Sequence, residues 1–238
     1  MRRPPPADRA RAPAPSLARR VAAEAVGTAL LLTTVVGSGI MAERLAAGNV
    51  ALALLANSLA TGAGLIALLL TFAGVSGAHF NPLVTVAAAS QGGLAWRAVP
   101  PYLAAQVGGA FAGVALAHLM FGLPLLSASH HARSGLGQFA GELTATFGLV
   151  SVIAGCSRTR LDATPFAVAA YITAAYWFTS STSFANPAVT LARAATDSFT
   201  GIRPADVPLF VVAQALGCTG ATLFFRWLLS DAPLEEVA

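Results

Sequence analysis

Lysine is missing from these 238 residues, and cysteine occurs only twice. Positive charge rests on fourteen arginines alone. Charged residues of both signs reach only 10%, against roughly 25% in an average soluble domain. A water-soluble globule is thereby excluded, because its surface needs more polar groups. The net charge of +4 is too small and too scattered for a nucleic-acid binder. Cys156 and Cys218 offer no disulfide framework and no metal-ligand spacing. Both lie near apolar segments and read as packing residues. No nucleophile–base pair and no metal constellation stands out, so neither an enzyme nor a cofactor nor a bound metal is expected.

Apolar residues fill the space instead, at 56% of the chain and a mean hydropathy of +0.69. The expected class is an all-α integral membrane protein. About 20 apolar residues cross the ~30 Å hydrocarbon core as a helix, and six runs qualify. They lie near Val21–Met41, Val50–Val75, Ala98–Leu123, Phe139–Ala154, Pro165–Ser181 and Pro208–Leu229. Ahead of them stands a basic tail, residues 1–18, rich in Pro, Ala and Arg and expected to be disordered. It could open a signal peptide, but the apolar run behind it is long and lacks a clear cleavage site, which favours a retained anchor. Arginine placement sets orientation. With the N-terminus cytoplasmic, that side receives ten arginines and the outer side four, and both termini are inside.

Two shorter segments, His79–Ser90 and Phe184–Ala195, do not fit as spans. Each has Asn-Pro followed by about nine residues of helical potential, or about 13 Å. Half-helices are tolerated at membrane depth only where protein buries them or water reaches them. The two segments also belong to a repeat. AHFNPLVTVAAA matches FANPAVTLARAA, with Asn81 and Asn186 105 residues apart. Gln106 and Gln214 are 108 apart, and Glu24 and Glu142 118 apart. The duplicated unit is span, span, half-helix, span: 19–123 with half-helix 81–90, and 139–230 with half-helix 186–195. An outer loop, 124–138, joins them, and 231–238 form a C-terminal tail. Three spans per unit invert the second copy relative to the first. The half-helices then enter from opposite faces and meet near the midplane.

Pro82 and Pro187 suit a first helical position, where the N–H has no partner anyway. Asn81 and Asn186 are favoured caps, each leaving an amide NH2 as a donor. Each half-helix N-terminus carries roughly half a positive charge, which disfavours cations and hydronium. The backbone before each Asn, at Gly77, Ala78 and His79 and at Thr182, Ser183 and Phe184, must be irregular, and its carbonyls can line a path. Donors at the centre and acceptors along the wall suit a small neutral hydroxylated solute. Two Pro-kinked loops capping a bundle are the plainer alternative, but duplication speaks against it.

SGAHFNPLVT and FANPAVT closely resemble the paired Asn-Pro-Ala motifs of aquaporins, the major intrinsic proteins, over about residues 19–230. The resemblance implies six spans, two re-entrant half-helices, one pore per subunit, a homotetramer in the cell membrane and no cofactor. It implies that Glu24 and Glu142 hold the re-entrant loops through backbone N–H groups, which fits the expense of intramembrane carboxylates. Two departures stand out. The first motif reads Asn81-Pro82-Leu83, and Leu83 could narrow the midplane; the second reads Asn186-Pro187-Ala188. Most members carry Arg three residues after the second Asn, where this chain has Val189; the nearest arginine is Arg193, expected at the mouth or in a structural role. Counting from the motifs puts Thr61, Ala174, Ser183 and Val189 at the selectivity filter. All are small, so the resemblance implies a wide, weakly polar filter. A shift of one turn would instead bring in Tyr171, Tyr176 or Trp177.

A filter without Arg points beyond water, to glycerol, urea, boric acid or arsenous acid. NPAVTLARAATDSFTGIRP resembles a bacterial aquaglyceroporin subgroup associated with arsenic-detoxification operons, which makes arsenite the leading solute. A water-selective pore, a coupled transporter and a non-conducting structural protein on the same fold remain alternatives. Coupling would normally need an ionisable site at the midplane. His130 and His131 read as a solvated loop, and His118 as a satisfied buried residue.

Overall fold

The computed structural model describes residues 15–230. Most of the expected basic tail and the whole of 231–238 lie outside that range. The described residues contain eight α-helices and no strand. They are α1 (Leu17–Leu45), α2 (Val50–Ser76), α3 (Pro82–Ser90), α4 (Val99–Phe121), α5 (Leu136–Thr159), α6 (Thr164–Phe178), α7 (Pro187–Arg193) and α8 (Val207–Leu228). Five helical stretches are long and apolar enough to cross a membrane. The sixth span, α6, has only 15 residues, or about 22 Å.

Several boundaries move. The tail expected at 1–18 ends sooner, because Ser16 caps α1 by accepting from the Arg19 N–H at 3.4 Å. The fourth span starts at Leu136 rather than Phe139, taking residues from the expected loop. The fifth stops at Phe178 rather than Ser181, because Thr179 turns extended. The second half-helix ends at Arg193 rather than Ala195.

The repeat is visible as geometry. α1 packs along α4, α5 packs along α8, and α3 meets α7 between them. Glycine allows both long pairs to close. A Cβ on Gly109 would meet the Ala25 carbonyl, and one on Gly217 the Leu143 carbonyl. These pairs are related by the same offsets as the two glutamines and the two glutamates. Gly113 sits likewise against the Ala29 carbonyl, so the small residues of α4 serve contact within one subunit. Large side chains such as Leu30, Leu59, Leu119, Leu216 and Leu223 stay exposed on the outside, the surface a bilayer covers.

Candidate functional site

α3 and α7 begin where proline follows asparagine. Asn81 Oδ1 accepts from the Leu83 N–H at 3.0 Å, and Asn186 Oδ1 from the Ala188 N–H at 3.0 Å. Neither amide nitrogen is left wholly free. Asn81 Nδ2 donates to the Ala185 carbonyl at 2.8 Å, and Asn186 Nδ2 to the Phe80 carbonyl at 2.7 Å. Each asparagine thus ties its half-helix to the opposite loop. One of its two amide hydrogens is committed and one remains. Asn81 and Asn186 are 4% and 6% exposed, so the surviving donors are buried.

The loops are held from behind by two matching networks. Glu24 accepts from the His79 and Phe80 N–H groups at 2.9 and 2.7 Å. Gln106 donates to Glu24 at 2.8 Å and to Thr85 Oγ1 at 2.9 Å. Thr85 in turn donates to the Asn81 carbonyl at 3.0 Å. On the other side Glu142 accepts from the Phe184 and Ala185 N–H groups at 2.8 and 2.9 Å. Gln214 donates to Glu142 at 2.6 Å and to Thr190 Oγ1 at 2.8 Å, and Thr190 donates to the Asn186 carbonyl at 2.8 Å. Both carboxylates are fully buried. No cation pairs with them among the described residues; directed donors carry the burial cost. Thr85 and Thr190 were missed by sequence reasoning. Their signal was present, since both stand four residues after the asparagine.

The price of this anchoring is backbone in a region L-residues avoid. Ala78, Phe80, Thr182, Ser183 and Ala185 all have φ between +48° and +60°. In return, the carbonyls of 77–79 and 182–184 accept no hydrogen bond from any described residue. Three open acceptors therefore stand on each side of the asparagine pair. His79 Nδ1 pairs with Thr85 Oγ1 at 3.1 Å, and its Nε2 lies beside Gly77.

The residues expected at the filter do not all converge. Thr61 is 2% and Ser183 3% exposed, and Ser183 Oγ has no partner. Val189 packs in the central apolar cluster. Ala174 does not join them. It lies on the exposed stripe of α6 with Phe166 and Ala170, one turn apart each. The α6 side chain that reaches Thr61 is Tyr176, hydroxyl to hydroxyl at 3.3 Å. The counting rule fails here because α6 ends at Phe178 and an irregular segment of its own length follows. The α6 partner of Thr61 is therefore an aromatic phenol and not the small Ala174. Leu83 does not narrow the midplane either. It packs with Val150, Phe147 and Cys218 in the crevice between α5 and α8.

Two arginines stand near this layer. Arg193 is 2% exposed and its Nε donates to the Thr200 carbonyl. Its guanidinium carbon lies 3.3 Å from the centre of the Phe184 ring. Arg133, from the loop joining the repeats, lies over the same ring at 5.1 Å. Burial lowers its pKa, an effect Glu142 and Tyr176 oppose. On the same face, the His130 N–H and ring nitrogen bond to Asp197 at 2.9 and 3.1 Å and hold its pKa below the usual carboxylate range. His118 Nδ1 meets the Pro124 carbonyl at 2.6 Å and Nε2 meets Thr196 Oγ1 at 2.7 Å. No cluster of three metal-binding side chains exists among the described residues.

Comparison with known proteins shows the family and the fold. The family profile "Major intrinsic protein" matches residues 12–168. The chain is 54% identical over 216 residues to aquaglyceroporin AqpS of Rhizobium meliloti, covering 91% of this chain and 92% of that one. It is 40% identical over 110 residues to the glycerol uptake facilitator protein of Pseudomonas aeruginosa, or 46% of this chain and 38% of that one. The X-ray structure of the aquaglyceroporin from Plasmodium falciparum superposes with a TM-score of 0.66 at 22% identity, over 91% of this chain and 97% of that chain, a likeness of fold. This multi-pass membrane chain therefore belongs to the major intrinsic protein family, whose members are passive channels and not enzymes.

Proposed function

We propose that the chain is a passive channel for small uncharged hydroxylated solutes, glycerol and arsenous acid foremost, with one pore in each subunit of a homotetramer. The observation that carries this is the reciprocal asparagine tie, flanked by three unbonded carbonyls on either side. A polyol or metalloid hydroxide donates to the carbonyls and accepts from the spare asparagine hydrogens, replacing its water shell step by step. Thr61, Tyr176, Ser183 and Val189 form the constriction, polar through three hydroxyls and without a cation at position 189. Glu24 and Glu142 position the loops rather than touch solute. The names of the relatives in Rhizobium meliloti and Pseudomonas aeruginosa support polyol passage. Arginine asymmetry supports an orientation with both termini cytoplasmic, in the cell membrane.

The test is uptake into proteoliposomes of water, glycerol and arsenous acid, with Val189→Arg beside the parent. Glycerol and arsenite should enter without any proton or sodium gradient, and Val189→Arg should slow both. If water alone passes, Tyr176 is acting as a water sieve and the polyol reading fails. If Val189→Arg leaves both rates unchanged, position 189 is not at the constriction.

A further inference from the structure

Val189 leaves the second half-helix without a charged side chain at the turn nearest the asparagine. The next turn carries Arg193, four residues on and therefore on the same face of α7. Helical side chains lean toward the N-terminus of their helix, so Arg193 leans back over Val189. Its Nε is spent on the Thr200 carbonyl, but no described acceptor is bonded to either Nη. A buried guanidinium normally has most of its five hydrogens satisfied. Here four hydrogens stay uncommitted at a residue only 2% exposed.

Arg133 approaches the same place from another element. Its backbone N–H is fixed by Asp206 Oδ2 at 2.8 Å, and Asp206 also takes Arg203 at 2.8 Å. Its Nε donates to the Gly201 carbonyl at 2.8 Å. Its outer nitrogens make only long bonds, 3.4 Å to the Ser181 carbonyl, 3.5 Å to Thr182 Oγ1 and 3.4 Å to the Phe199 carbonyl. The guanidinium is thus anchored at its stem and loosely held at its tip, beside the loop whose carbonyls are open. Phe184, whose own carbonyl is one of those three, has Arg193 at 3.3 Å and Arg133 at 5.1 Å from its ring centre.

We propose that Arg193 and Arg133 together form a relocated cationic constriction at the loop-bearing mouth, doing as a pair what no residue at position 189 does. They repel cations and hydronium and offer donors to a passing hydroxyl oxygen. Two like charges over one ring, with no acidic partner on either guanidinium among the described residues, disfavour a third positive charge beside them. The aromatic face of Phe184 stabilises both. The inference rests on the channel reading above.

The experiment measures glycerol permeability and proton leak in the same proteoliposomes, using light scattering and an internal pH dye. The variants are Arg133→Ala, Arg193→Lys, Arg193→Ala and the double alanine, with Arg158→Ala as a control on the opposite side of the bundle. Removing either charge should raise proton leak, by about tenfold for the double variant, and change the glycerol-to-water ratio. Arg193→Lys keeps the charge and should keep leak low even where Arg193→Ala fails to fold. The proposal is overturned if folded Arg133→Ala leaks no more than the parent, or if Arg193→Lys leaks as freely as a neutral variant. A parent protein that passes no glycerol would sink the channel reading itself, a separate outcome from these.

Discussion

In the first re-entrant unit, Glu24, Gln106 and Thr85 hold the loop; in the second, Glu142, Gln214 and Thr190 do so at bond lengths within a few tenths of an ångström. Beyond that frame the units diverge. The first presents His79 toward Thr85 and sends Leu83 into an apolar crevice. The second presents Ser183 with an unpartnered hydroxyl, and Phe184 between two arginines. Symmetry is kept where buried carboxylates and strained backbone must be satisfied. It is given up at His79, Leu83, Ser183 and Phe184, whose side chains do not hold that frame. A duplicated scaffold can therefore change solute without touching what holds it together.

The sharpest way to break this comparison is to remove the carboxylates. Glu24→Gln and Glu142→Gln each replace one acceptor oxygen by an amide NH2 that faces a backbone N–H donor, and remove the charge from the other. Both should lose about 3 kcal/mol or more, read as a collapse of folded yield and thermal stability in detergent. Equal losses would fit equal frames; a harmless Glu142→Gln would contradict them. Next come the close approaches. Gly109→Ala and Gly217→Ala drive a Cβ into backbone carbonyls and should each cost about 2 kcal/mol, again as a matched pair. Leu83→Ala should lower stability by about 2 kcal/mol through lost packing, with less effect on glycerol flux than Val189→Arg. Tyr176→Phe removes the bond to Thr61 and should cost about 1 kcal/mol while altering the glycerol-to-water ratio. No change in that ratio would place Tyr176 outside the constriction. Smallest is the exposed Asp197. Its pKa is depressed chiefly by the His130 N–H, so its stabilisation is complete at neutral pH. It is lost as pH falls through that lowered value. Asp197→Asn should abolish this slight acid dependence in thermal unfolding.

The fold was legible because its determinants are periodic and duplicated. Two Asn-Pro pairs, two buried carboxylates and two glutamines recur at nearly constant offsets, and apolar runs of membrane length separate them. Span positions were legible too, but the apolar runs undercount α1 and α5, whose helices extend several residues beyond them, while α6 ends at Phe178, where hydroxyl residues begin. That early ending defeated the filter count. Offsets carried along a sequence assume a helix of constant rise, and the irregular segment 179–185 breaks the assumption, turning Ala174 outward and Tyr176 inward. Arg133 was illegible for another reason. It comes from the loop joining the repeats, and its place beside Phe184 depends on Asp206, 73 residues away. The threonine links, by contrast, lay within one helical turn of each asparagine and needed only the local geometry.

A channel of this kind needs a path that passes neutral solute between Asn81 and Asn186. The most direct measurement is the rate of glycerol entry into proteoliposomes against protein-free vesicles of the same lipid, at several temperatures and without an ion gradient. A rate well above the lipid's own, with a weaker temperature dependence, is expected for passage through a pore. A rate and temperature dependence equal to those of the bare lipid would contradict a conducting path.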